Sequence, residues 1–175
     1  MVERTVTSRF VYIGQIVKLR IDTVETVEGR RATREIVEHA DCVAVVPLDE
    51  QGNILLVKQF RYSVGKELLE IPAGGIDAGE DVEAAVRREM GEETGFSPRT
   101  VKKMGGFYSS PGFCTEYMHL FLATDLEPKR LKAEDTEGIT VVRVKPGDIE
   151  ELISSGTICD AKSVAGLSLY LKQGK

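Results

Sequence analysis

Polar and apolar residues alternate through the first quarter of the chain, then apolar residues gather into short runs, a pattern that predicts many strands and few helices. Between residues 9 and 46, Ile16, Leu19 and Ile21 lie among polar neighbours. Val24 and Val27 carry the alternation to Glu28-Gly29, a dipeptide suited to a hairpin turn. The pattern resumes at Arg34 and ends in the unbroken run Cys42 to Val46, which predicts a buried strand. Asp49 to Asn53 is a turn. Further strands are expected at Ile54 to Phe60, Glu67 to Ile71 (stopped by Pro72), Val101 to Tyr108, Tyr117 to Thr124 and Ile139 to Val144. Two helices close the chain, Pro146 to Ser154 and Asp160 to Lys172, the second with Val164, Leu167 and Leu169 as its apolar positions. No repeat, low-complexity tract or linker interrupts this order. The expectation is a single α+β domain over residues 1–175, with residues 1–40 as an N-terminal strand region.

One helix breaks the usual rule for amphipathic segments. From about Asp81 to Thr94, Val82, Ala85 and Val86 define an apolar stripe centred near Val82. At about 100° per residue, Glu89 and Glu93 fall within about 20° of that centre and Glu92 about 80° to one side. The core face of the helix therefore continues as acid. Like charges three and four residues apart repel, and inward carboxylates are costly unless something pairs with them. A solvated acidic face is the alternative, but Glu83, Ala84 and Arg87 already occupy the outward side. A divalent cation supplies the missing partner, and an all-oxygen ligand set suits Mg²⁺ or Mn²⁺ better than zinc. Asp77 or Gly79 is expected near the start of this helix. Glu80 and Asp81 suit its positive end and Gly95 its C-terminal stop. Gly91, inside the helix, costs about 1 kcal/mol against Ala and has no explanation at this level.

Composition narrows the function. A net charge of −5 lacks the basic footprint of a nucleic-acid binder. A small phosphate-bearing molecule remains compatible, because local arginines and a bound cation offset overall acidity. No apolar run is long enough to span a bilayer, and the first residues lack the apolar core of a signal peptide, so a cytoplasmic location is expected. Cys42, Cys114 and Cys159 are odd in number and widely spaced, which predicts reduced, buried thiols rather than a disulfide framework. His39 and His119 have no Ser or Cys partner in a recognisable spacing and are expected to be structural.

Residues 74–96 resemble the Nudix box, G-x5-E-x7-R-E-U-x-E-E-x-G-U with U a bulky aliphatic. Gly74, Glu80, Arg88, Glu89, Met90, Glu92, Glu93 and Gly95 fill their places without insertion, and Phe96 is aromatic where an aliphatic is usual. The resemblance implies a Nudix-like α/β/α sandwich with a mixed sheet, and Mg²⁺-dependent hydrolysis of a nucleoside diphosphate linked to another group. It implies that Glu89, Glu92 and Glu93 hold the metal, joined by the backbone carbonyl of Ala73, and that Glu80 and Arg88 form a bracing salt bridge.

Flanking residues resemble the ADP-ribose pyrophosphatases of this family. Gln59-Phe60-Arg61 and Glu67 to Gly74 match their approach to the box, and Pro111 lies 15 residues after Phe96, where that group carries a proline. The implied reaction takes ADP-ribose, or a similar nucleoside diphosphate sugar, to AMP and a sugar phosphate. Besides Glu92, the catalytic candidates are Asp135 as base and Glu137 as a metal or water contact, in an acidic loop where such enzymes keep these groups. Arg34 and Arg61 are candidate phosphate clamps through their planar forks. Phe10, Tyr12 and Tyr62 are open alternatives for stacking adenine. Homodimers with exchanged N-terminal strands are common in the group, so Phe10 or Arg34 would serve the partner's site. Hydrolysis of another nucleoside diphosphate derivative or of a triphosphate is the competing enzymatic expectation. A nucleotide-binding sensor without catalysis is the competing non-enzymatic one.

Overall fold

The computed structural model describes residues 2–132 and 138–173. Its contacts divide the chain into two compact units, residues 1–41 with 107–117, and residues 42–106 with 118–175. In the first unit, β1 (Arg4–Ile13), β2 (Lys18–Glu25) and β3 (Arg31–Glu38) form an antiparallel sheet in the order β1-β2-β3. The turn between β2 and β3 closes where Gly29 adopts φ +76°, as expected for Glu28-Gly29. β1 begins five residues earlier than the pattern suggested, because Arg4 to Ser8 pair with β2 although they have no apolar alternation of their own. Ile16 belongs to no strand; it sits exposed in the β1–β2 turn. Val37 of β3 exchanges backbone hydrogen bonds with Phe113 and Thr115, which fixes the loop that carries Pro111.

The second unit holds β4 (Cys42–Pro47), β5 (Ile54–Arg61), β6 (Lys66–Glu70), β7 (Ala73–Gly75), α1 (Val82–Glu93), most of β8 (Phe96–Tyr108) and β9 (Tyr117–Pro128), β10 (Thr140–Val144), α2 (Ile149–Ser154) and α3 (Ala161–Gln173). A four-stranded sheet runs β7-β4-β9-β8, with β4 parallel to β9 and antiparallel to β7, and a second sheet runs β10-β5-β6. Mixed strand directions follow from this arrangement.

Strand β4 is buried on both faces, and alternation tells which helix covers each. Val43 and Val45 join Phe121, Ala123, Ala85, Val86 and Met90 in one core, under α1. On the opposite face, Val46 and Leu120 approach Gly166 of α3 so closely, with Ile71, that a Cβ there would lie 2.9 Å from the Ile71 side chain. Helix, sheet and helix form the expected α/β/α layers.

Some boundaries moved for physical reasons. β8 starts at Phe96, not near residue 101; its Pro98 is tolerated because β8 is the edge strand of its sheet. β7 is a three-residue strand hidden in the glycine-rich approach to the helix. The cysteines are reduced, as expected, but only Cys42 is buried; Cys114 is half-buried and Cys159 exposed, a correction to the expectation that all three are covered. Among the described residues no helix is long and apolar enough to cross a membrane.

Candidate active site

The site grows from the way α1 begins and ends. Asp81 caps it, its carboxylate accepting from the backbone N–H of Glu83 and Ala84 at 3.0 and 3.1 Å. At the other end Gly95 takes φ +79°. The segment after β9 then docks on the last turn: Lys129 N–H donates to the Gly95 carbonyl (2.8 Å) and Leu131 N–H to the Gly91 carbonyl (3.0 Å). This docking explains Gly91, because a Cβ there would lie 3.0 Å from both the Lys129 carbonyl oxygen and the Leu131 side chain.

The angular arrangement expected of the helix is present. Glu83 and Ala84 face outward, while Glu89 and Glu93 are each only 8% exposed and Glu92 is half-buried. Glu93 is anchored by the backbone N–H of Ala73, 3.0 Å from its Oε2. Burial, helped by the charge of Glu89 and opposed by that hydrogen bond, Arg61 and Lys162, pushes its carboxyl up to about 7. Burial also raises the Glu89 carboxyl, against the pull of Arg88. Gly74 makes the crowding possible. The Glu89 carboxylate lies where a side chain at position 74 would be, its Cδ 2.1 Å from an added Cβ.

Arg88 organises the acids. Its Nε and Nη2 fork onto Glu80 at 2.9 Å each, Nη2 also donates to the Gly75 carbonyl (2.8 Å), and Nη1 reaches Glu89 (2.6 Å) and Glu92 (3.3 Å). The Glu80 hydrogen bonds, then those of Glu89, raise the basicity of this guanidinium further. One fully used cation thus serves three acids, and among the described residues Glu93 is left with a single backbone donor. Among the described residues the oxygens of Glu89, Glu92 and Glu93 do not all come within 4.8 Å of one another; Arg88 Nη1 holds Glu89 and Glu92, and the Ala73 N–H holds Glu93. Two raised carboxyls beside a half-buried third form a hard-oxygen donor set short of positive charge, which fits a divalent cation of the Mg²⁺ or Mn²⁺ type.

The structure brings Ala73, Glu89, Glu92 and Glu93 together in the second unit. Arg61 is in that unit too, close enough for the charge of Glu93 to stabilise its guanidinium. Its Nε and Nη2 are engaged by Glu70 at 2.8 and 2.7 Å. Arg34 and Pro111 are in the first unit, where Arg34 pairs with Glu3 and Pro111 occupies an exposed turn. Asp135 and Glu137 lie outside the described residues. Sequence reasoning missed Glu70 and Lys162 as charged groups of this region; nothing local marks Lys162, whose partner is 92 residues away.

The NUDIX domain family matches residues 38–164. An ADP-ribose pyrophosphatase of Bacillus subtilis is 38% identical over 175 residues, covering 98% of this chain and 94% of that protein. A methanol dehydrogenase activator of Bacillus methanolicus is 34% identical, covering 97% and 92%. A crystal structure of an ADP compounds hydrolase superposes with a TM-score of 0.89 at 22% identity, covering 98% of this chain and 93% of that one, a likeness of fold. Box geometry, family match and near full-length relatives lead to one conclusion: the chain belongs to the NUDIX domain family and is a Nudix hydrolase similar to ADP-ribose pyrophosphatases.

Proposed function

We propose that this protein hydrolyses the diphosphate bond of ADP-ribose or a related nucleoside diphosphate sugar, releasing AMP and a sugar phosphate. The observation that carries the reading is the α1 face: Glu89 and Glu93 buried inward beside Glu92, with too few cations among the described residues to balance them. Glu89, Glu92 and Glu93, with the Ala73 carbonyl, would hold Mg²⁺ (or Mn²⁺), which supplies charge neutralisation at the diphosphate and a more acidic water. Arg61 offers the diphosphate a fixed guanidinium edge, since among the described residues its Nη1 makes no hydrogen bond. Asp135 and Glu137 are the proposed base and its neighbour in the proton transfer. The choice of ADP-ribose is supported by the Bacillus subtilis relative.

All 175 residues work in this proposal as one Nudix hydrolase domain, in the cytoplasm and as a homodimer. The dimer is supported by β1, an edge strand with Phe10, Tyr12 and Ile13 exposed, followed by exposed Ile16. Arg34, whose acidic partner among the described residues is the exposed Glu3, is proposed to bind substrate phosphate, with Pro111 shaping the loop beside the substrate.

A second reading, another nucleoside diphosphate derivative as substrate, is favoured by one observation: a GDP-mannose pyrophosphatase of Escherichia coli is 31% identical, covering 81% of this chain and 78% of that protein. Both are tested by incubating the protein and Mg²⁺ with a panel of ADP-ribose, GDP-sugars, FAD and nucleoside triphosphates. Fastest release of AMP from ADP-ribose, abolished in Glu92→Gln, is the expected result. Preferential cleavage of another member would transfer the assignment to that substrate, and binding without turnover of any of them would make the protein a sensor.

A further inference from the structure

The start of α3 is joined to the strand leading into the site by buried charge. Glu70, at the end of β6, is 1% exposed and takes three donors: Arg61 Nε at 2.8 Å, Arg61 Nη2 at 2.7 Å and Lys162 Nζ. Burial opposes its ionisation, but Arg61 and Lys162 outweigh this and keep its carboxyl below the ordinary range. Lys162 Nζ is shared with Asp160 Oδ1 at 2.8 Å, and that same oxygen accepts the backbone N–H of Ser163 as a helix cap. The Ser163 hydroxyl, fully buried, accepts the Ile71 N–H at 2.8 Å, so two successive α3 residues grip two successive residues ahead of Ala73.

Stability alone does not call for such a network. Well-packed apolar residues of similar volume commonly hold an interior at least as firmly as buried ions, because desolvation cancels most of the attraction. What an apolar substitute cannot do is aim a guanidinium. Lys162 Nζ and Arg61 Nη2 meet on the same Glu70 oxygen, Oε2, so the ammonium is a second anchor for the carboxylate on which Arg61 forks. With Nε and Nη2 held there, Nη1 is the guanidinium nitrogen without a hydrogen bond among the described residues, in a side chain that also feels the charge of Glu93.

We propose that Lys162 is a positioning residue which, through Glu70, fixes the open edge of Arg61 toward the substrate diphosphate, with Asp160 fixing Lys162 in turn. The inference rests on the reading above that Arg61 meets the diphosphate. It gives the C-terminal helix a part in substrate binding without touching substrate.

The test is a double-mutant cycle on the Mg²⁺-loaded enzyme with ADP-ribose, comparing wild type, Lys162→Met, Arg61→Ala and the double variant. Lys162→Met is expected to lower kcat/KM about tenfold when Arg61 is present, mainly through KM, and by less than about twofold when Arg61 is already gone. An equal loss in both backgrounds would mean a merely structural role and overturn the proposal, as would no loss in either. If Arg61→Ala alone keeps the wild-type KM and kcat, the Arg61 reading fails and takes this inference with it; that outcome is read from the single variant. Should Lys162→Met not fold, Asp160→Asn replaces it, since Asn caps a helix as well as Asp does. The expected loss is smaller, and again present only with Arg61.

Discussion

Gly74→Ala separates catalysis from stability. The added methyl would lie 2.1 Å from Glu89 Cδ and 2.2 and 2.3 Å from its two oxygens. Ordinary contact begins near 3.4 Å, so the carboxylate must retreat by about 1.3 Å. Folding tolerates this, because the obstacle is the end of a long side chain and Gly74 does not use a left-handed φ. Replacing Gly by Ala also restricts the unfolded chain, a gain of about 0.4–1 kcal/mol that offsets part of the displacement. With Glu89 holding the metal as proposed, catalysis does not tolerate it, since a misplacement of about 1 Å in a reacting constellation costs roughly 100-fold. Steady-state AMP release from ADP-ribose across a Mg²⁺ titration, with thermal unfolding in parallel, is the assay. The expected outcome is a fall in kcat/KM of about 100-fold, a higher Mg²⁺ requirement, and a melting temperature within a few degrees of wild type. A variant within about threefold of wild type at every Mg²⁺ concentration would refute the idea that Gly74 exists to seat Glu89.

Three further outcomes follow from the same geometry. Glu93 binds its proton more tightly folded than unfolded, so as pH rises from its ordinary 4.5 through about 7 the metal-free fold loses stability, by about 3 kcal/mol in full. Urea unfolding in EDTA at pH 5 and pH 8 should show a larger loss in wild type than in Glu93→Gln, where the raised Glu89 carboxyl still contributes; equal losses in the two would contradict the burial argument. Glu80→Gln removes the carboxylate on which Arg88 forks and should cost about 2 kcal/mol in the same assay, whereas no change would mean the brace is idle. Gly91→Ala should destabilise despite the better helix propensity of Ala, because its Cβ meets the Lys129 carbonyl at 3.0 Å; a higher melting temperature would show that the docked segment yields.

The inward acids of α1 were legible because a helix has a fixed period, and residues 82, 89 and 93 return to one face whatever surrounds them. The Glu80–Arg88 bridge was legible only through the family motif, since nothing local brings residues eight apart on a loop and a helix into a fork. Contacts made across the fold left no local mark. Gly91 is a glycine because of Lys129 and Leu131, and Gly74 because of Glu89. Lys162 sits unremarkably in a helix until β6 places Glu70 against it. Strand ends failed where pairing, not hydrophobicity, sets the length, as in residues 4–8 of β1 and 96–100 of β8.

The most direct measurement of the central claim is cation binding at the α1 carboxylates, without substrate. Mn²⁺ titration followed by electron paramagnetic resonance, on wild type and on Glu89→Gln, Glu92→Gln and Glu93→Gln, reads it independently of turnover. Saturable Mn²⁺ binding displaced by Mg²⁺, accompanied by proton release near pH 7 and weakened at least tenfold in each variant, is the predicted result. Mn²⁺ binding of equal strength in wild type and all three variants would contradict it.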